Sequence, residues 1–347
     1  MKMLRKTLSS LAIRTLGSRP ASALMASVRK PCVPVFMLHR LANSDTGIRG
    51  HQRDVLNGAL DYIETHGYHP ISLRSLMSAL IDQSPLPPNA VVFTVDDGFK
   101  DQADSILPMF AERQVPITLF VATDLIDNQG WSWDFKLDHV IHQASAQHFD
   151  IRPFGFDCEP ILLDSHENRR TALRKVRSAL KDLHPSGALQ GVSDVARTLS
   201  SPIPDTAPPA FSATDWRTLR NLESDLIDIA PHGINHVILS RLSIEDATRE
   251  IVDGWNRVRQ EMTNPLPVFC YPTGREGIDF SEREQTIVQQ AGLLGAVSTD
   301  PGYVRAELST SHRYRLPRFS MPTDDLDEFI KCCSWIERGR ELVTGKV

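Results

Sequence analysis

The sequence predicts an α/β fold, a distorted β/α barrel with helices over a parallel sheet and a mainly helical insertion. Three observations point there. Apolar runs at 33–38, 91–95 and 117–122 alternate with stretches of helical spacing, the pattern of parallel strands buried on both faces. Residues able to do chemistry recur just after strands: His39, Asp96 with Asp97, His232, and Tyr271 with Pro272. That is the end of the sheet where β/α barrels assemble their sites. Finally, 347 residues with 41% hydrophobic and 23% charged side chains suffice for a barrel with a large core and exclude global disorder.

The elements follow in order. Residues 33–38 form the first strand, ending at His39 and Arg40. Residues 51–66 carry Val55, Leu56, Leu60 and Ile63 on one helical face, stopped by Gly67. A second helix is predicted at 71–81, then a proline-rich loop at 84–89, a strand at 91–95, a helix at 103–113 and a strand at 117–122. Regularity lapses from about 143 to 212, where a charged helix at 168–183 leads to the loop SSPIPDTAPP. A return segment at 214–222 precedes a strand at 226–230. The helix at 243–262 has Ser243 as cap and Asp246 at the capping-box position. A strand at 268–271, a helix at 281–291, strands at 294–298 and 315–319, and a helix at 324–342 complete the chain. The predicted division is a basic segment at 1–32, a barrel at 33–142 and 211–322, an insertion at 143–210, and a C-terminal helix at 323–347 packed on the barrel.

A net charge of −5 argues against nucleic-acid binding. Residues 1–32 nonetheless hold seven basic side chains (Lys2, Arg5, Lys6, Arg14, Arg19, Arg29, Lys30) and no acidic one. A solvated tail or a first helix accounts for them, and peripheral contact with anionic lipid is the functional alternative. No apolar run is long enough to cross a bilayer, and no secretory apolar region is visible at the start, which predicts a cytoplasmic protein, membrane-associated if the basic segment binds lipid. Five cysteines without a CxxC pair agree with a reducing compartment.

The chemistry concentrates in two stretches, VVFTVDDGFK at 91–100 and HGINH at 232–236. Two carboxylates at the rim of a buried strand are costly without a cation or hydrogen bonds. Two imidazoles four residues apart, joined by one acid, form a ligand set for a catalytic divalent metal, with the second acid free to act as base.

VVFTVDDGFKD, PITLFVATDLI, HGINHVILSRLS and FCYPTG, in this order, resemble the polysaccharide deacetylases of carbohydrate esterase family 4, the NodB-homology domain. The third motif resembles the branch with F-x-Y-P-x-G. This resemblance implies a NodB-type barrel, a metal (zinc by preference) on Asp97, His232 and His236, Asp96 as general base, and a Tyr271 backbone N–H at the oxyanion. His39, Trp131, Trp133, Pro272 and Arg318 are candidate substrate contacts. The implied activity is removal of N-acetyl groups from a glycan or its lipid-linked precursor in exopolysaccharide or surface-glycan biosynthesis. Three departures stand out. The usual L-x-H acid is absent from 313–322, leaving His39 and His312 as alternatives; Gly233 replaces a hydroxyl residue; and Cys270 stands where other branches carry a base-orienting arginine. A catalytically silent glycan-binding or scaffold barrel, and a small-amide hydrolase, are the competing readings.

Overall fold

The computed structural model describes residues 2–29, 32–44, 48–128, 130–305 and 310–345. Four parallel strands lie side by side in chain order: β1 (Cys32–Leu38), β2 (Ala90–Asp97), β3 (Ile117–Val121) and β4 (Ile227–Pro231). Every residue in these strands is buried, as the unbroken apolar runs require when both faces are covered. The ladder is then interrupted. β5 (Val268–Cys270) and β6 (Gly295–Val297) pair with each other, and a backbone bond from Leu266 N–H to Ile229 O (2.8 Å) ties them to β4. The short β7 (Tyr303–Arg305) runs antiparallel to β1. Leu316 bridges to Val297, and β8 (Phe319–Ser320) pairs in parallel with Phe36 and Met37 of β1.

Registers decide where the chemistry lands. Asp97 stands opposite Val121, and Val121 opposite Pro231. The His232 N–H then donates to Val121 O at 2.8 Å. The ends of β2 and β4 are therefore level, with only β3 between them.

The helices follow the predicted spacing. Arg53–Thr65 buries Val55, Leu56, Leu60 and Ile63, and Leu73–Asp82 is capped by Ser72. The Ser243 hydroxyl caps Ile244–Glu261, and Ser281 with Glu284 forms a full capping box on Glu282–Gln290.

Several boundaries differ from expectation for local reasons. The helix after β2 begins as a wide turn, Gln102–Ile106, before Leu107–Glu112, because Pro108 has no N–H to continue a regular ladder. The strand expected at 315–319 is mostly a turn: Pro317 cannot donate, and Arg318 N–H goes to Asp300 O. The C-terminal helix is two, Leu326–Cys333 and Ile336–Thr344, broken where Trp335 turns its indole N–H to Leu16 O (2.9 Å).

Helices Trp133–Gln143, His166–Lys181 and Pro185–Thr198 share a second core that includes Trp133, Leu137, Val140, Val176, Val192 and Val195. The first and third were not anticipated. Of the basic N-terminal segment, helix Lys2–Leu16 leads to Gly17, whose carbonyl accepts the Tyr62 hydroxyl at 2.6 Å, and Arg14 pairs with Asp327. Lys30 lies outside the described residues. No helix among the described residues is long and apolar enough to cross a membrane.

Candidate active site

β2 ends in an unusual backbone. Asp97 and Gly98 both have positive φ, 103° and 101°, and such conformations persist where the surroundings over-determine them. Here Gln102 does so. Its side-chain oxygen accepts the N–H groups of Gly98 and Phe99 at 2.9 and 2.8 Å, while its amide donates to Asp96 O and to His39 O. One buried amide thus fixes the two-carboxylate turn to the end of β1.

The histidine loop is held from the opposite side. Glu250 accepts the N–H groups of Ile234 (2.9 Å) and Asn235 (3.0 Å) and the Asn235 amide (2.6 Å). Gly254 permits the approach, since a Cβ there would lie 3.0 Å from the Gly233 carbonyl carbon. His232 Nδ1 is 2.7 Å from Cys270 O, an acceptor only, so that nitrogen carries the proton and Nε2 keeps its lone pair. His232 Nε2 is 3.8 Å and His236 Nε2 3.4 Å from Asp97 Oδ1, and one ligand atom from each residue lies within 4.8 Å of the others.

The donor set fits a divalent cation. Burial pushes the Asp97 carboxyl up, with the His236 and His39 charges opposing, as expected for a carboxylate in want of a cation. Burial lowers His232 to about 3, the neutral form a metal needs. His236 Nδ1 is buried without a partner, 3.9 Å from Asp134 Oδ1. That carboxylate lies on the side from which metal-binding histidines are commonly oriented.

Asp96 is bound differently. Arg318 grips it side-on, Nη1 to Oδ1 and Nη2 to Oδ2, both 2.8 Å, and also donates to Ser298 O, Thr94 Oγ1 and Cys270 Sγ. Burial alone would raise the Asp96 pKa, yet the Arg318 charge and hydrogen bonds hold the carboxyl well below the usual range. Asp96, His232 and Cys270 are also close enough to share an ion. That group fits poorly, because Arg318 occupies the carboxylate and burial drives the Cys270 thiol far up, keeping its proton.

Three of the candidate residues are placed as follows. Arg318 is fully buried, and its guanidinium is committed to Asp96. The Tyr271 N–H already donates to Val297 O at 3.3 Å, while its ring stacks on Phe280 and its hydroxyl meets Tyr314 O. Pro272 is buried in the turn that returns Gly274 N–H to its carbonyl.

Trp131 and Trp133 are both buried, Trp131 against Phe211 and Trp133 in the second core. They line a cavity of about 570 Å³ that shares Asp97 and His236 with the cleft at the candidate site. The cleft itself, about 240 Å³, is bordered by His39, Asp96, Asp97, His232 and His236. His312 is not among its lining residues.

Among the lining residues that sequence reasoning did not name are four polar ones of interest. Asp134 and the cations Arg177 and Lys181 come from the helical segment, and Thr273, at positive φ, has a buried hydroxyl without a partner. The usable signal for Thr273 was its place directly after Tyr271-Pro272.

A buried carboxylate thus lies beside a candidate metal triad at the C-terminal ends of parallel strands. Residues 83–188 match the family described as polysaccharide deacetylase. The match covers under a third of the chain, and that segment is similar to the polysaccharide deacetylases. The match runs across the first helices of the second core. A search of curated protein sequences gave no match.

Solved structures share the fold. The Streptococcus pyogenes deacetylase PplD, in complex with acetate, is 14% identical, with 87% of this chain and 98% of that chain covered at a TM-score of 0.56. The polysaccharide deacetylase BC0361 from Bacillus cereus is 12% identical, covering 88% and 69% at 0.54. IcaB from Ammonifex degensii is 14% identical, covering 87% and 97% at 0.51.

Proposed function

We propose that the protein is a metal-dependent N-deacetylase that removes acetyl groups from amino sugars within a glycan or its lipid-linked precursor, during surface-glycan or exopolysaccharide assembly. Zinc is the preferred ion for two imidazoles and a carboxylate. One observation carries the reading: Asp97, His232 and His236 converge beside a second carboxylate held apart by Arg318.

The bound cation would acidify a water and polarise the acetyl carbonyl. Asp96 is placed to take the proton of an attacking water as the water oxygen bonds to the acetyl carbonyl carbon. Arg318 keeps the carboxylate ionised and fixes its orientation through both oxygens. When the carbon–nitrogen bond breaks, the departing amine needs a proton, and His39 is the histidine bordering the cleft without a place in the ligand set. Thr273 offers a hydroxyl to substrate. Products are acetate and the free amino sugar.

The test is metal-stripped protein reloaded with zinc or cobalt and supplied with N-acetylated chitooligosaccharides, with acetate as readout. Release that stops in Asp96→Asn while metal stays bound, and in His232→Ala with metal lost, supports the reading. Stoichiometric metal with no acetate from neutral or charged oligosaccharides returns the barrel to a binding role. Failure to bind metal at all overturns the proposal.

A further inference from the structure

Beside the catalytic cleft lies a larger groove of about 940 Å³, bordered by helix His166–Lys181 and by the segments that carry Arg241 and Arg275. The two cavities share Arg177 and Lys181 in their linings, so they adjoin. Along the helix, Arg170, Arg174, Arg177 and Lys181 recur at steps of four, three and four, which puts them on one face. At the helical rise they span about 16 Å. With Arg241 and Arg275 the lining holds six cations.

Three acids also border the groove, and two of them are engaged. Asp182 binds Arg241 at 2.8 Å, and Asp279 accepts the Arg275 backbone N–H at 3.0 Å. Glu167 sits in the first turn of the helix, at the far end of the cationic row. Among the described residues the side chains of Arg170, Arg174, Lys181 and Arg275 have no hydrogen bond or ion pair, and Arg177 Nε is buried without a partner. Like charges at this spacing destabilise a helix. The chain as a whole carries −5, so the cations do not follow its general charge. A concave surface of one sign focuses its field and concentrates counter-ions of the other.

We infer that the substrate is an anionic glycan, bearing carboxylate or phosphate groups near the N-acetylated sugar, and that the row from Arg170 to Lys181 leads it to Asp96 and Asp97. The length of the row exceeds one sugar ring and suits charges repeated along a chain. Arg177 and Lys181, at the junction, hold the anionic group nearest the acetamide to be cleaved.

This inference rests on the deacetylase reading, and its test is independent of turnover. Calorimetric titration of the metal-free full chain compares hyaluronan hexasaccharide (carboxylates), UDP-N-acetylglucosamine (phosphates) and neutral chitohexaose at low and high salt. At least one anionic probe is expected to bind about tenfold or more tighter than chitohexaose at low salt, with the advantage shrinking as salt rises. Which probe wins separates carboxylate from phosphate. In R170Q/R174Q, which changes exposed positions and keeps the wild-type melting temperature, the advantage is expected to fall to about threefold or less. Equal affinity for neutral and anionic probes overturns the inference, as does a preference untouched by the substitutions. So does tighter binding of phosphatidylserine vesicles than of either saccharide through the same two arginines.

Discussion

Arg318 and Asp96, 222 residues apart in sequence, meet through two parallel hydrogen bonds of 2.8 Å in a fully buried pair. The pair joins the segment before β8 to the end of β2 and fixes the ionisation of the proposed base. Removing one partner of such a pair leaves an uncompensated charge, so Arg318→Met should cost about 3–5 kcal/mol in urea unfolding. Arg318→Lys keeps a charge but not the two-pronged grip, and should lie between. Its signature is lowered kcat at unchanged metal content. An Arg318→Lys variant with wild-type turnover would remove the positioning role.

His39 is assigned to the leaving amine because it borders the cleft beside both carboxylates. An amide nitrogen must be protonated to depart; a phenolate need not be. His39→Ala should therefore reduce kcat on N-acetylated oligosaccharide by about 10²-fold or more while sparing hydrolysis of an aryl acetate. Equal losses on both substrates would mark His39 as structural.

How far the sequence disclosed this site depends on how each residue reaches it. Asp96, Asp97, His232 and His236 stand in short linear motifs directly after strands, and parallel register alone brings them together. Arg318 and Gln102 were opaque because their roles are long-range or backbone-directed: a guanidinium arriving across β1, and an amide that caps a turn. Trp131 and Trp133 could not be placed from the sequence, because an aromatic pair after a strand reads the same whether it borders a cavity or packs in a core. Arg177 and Lys181 lay in a helix predicted for its spacing, but nothing local said that its charged face borders the cleft.

His51 offers a stability test away from the metal ligands. Burial lowers its pKa to about 4, with its hydrogen bond to Pro322 O opposing; its other ring nitrogen accepts the His39 N–H at 3.2 Å. The folded protein thus holds a neutral imidazole that the unfolded chain protonates near pH 6.5. The stabilisation is complete above pH 6.5 and is lost as the pH falls from 6.5 through about 4, with an upper bound of about 3 kcal/mol. Urea midpoints should fall over that interval more steeply for wild type than for His51→Gln. Parallel slopes would sink the assignment.

Glu250 is the last link between fold and site, because its carboxylate is the partner of three donors in the loop between the two histidines. Helix Ile244–Glu261 delivers it, and the close contact of Gly254 with Gly233 sets the distance. Glu250→Ala leaves two backbone N–H groups with no acceptor and should cost about 2–3 kcal/mol. Glu250→Gln keeps one acceptor oxygen and should cost less. The diagnostic is the metal: with the loop loosened, zinc affinity by chelator competition should fall about 10–100-fold in Glu250→Ala, as when a supporting partner of a ligand is lost. A destabilised variant that binds zinc as tightly as wild type would show that the helix supports the barrel and leaves His236 to be aimed by something else.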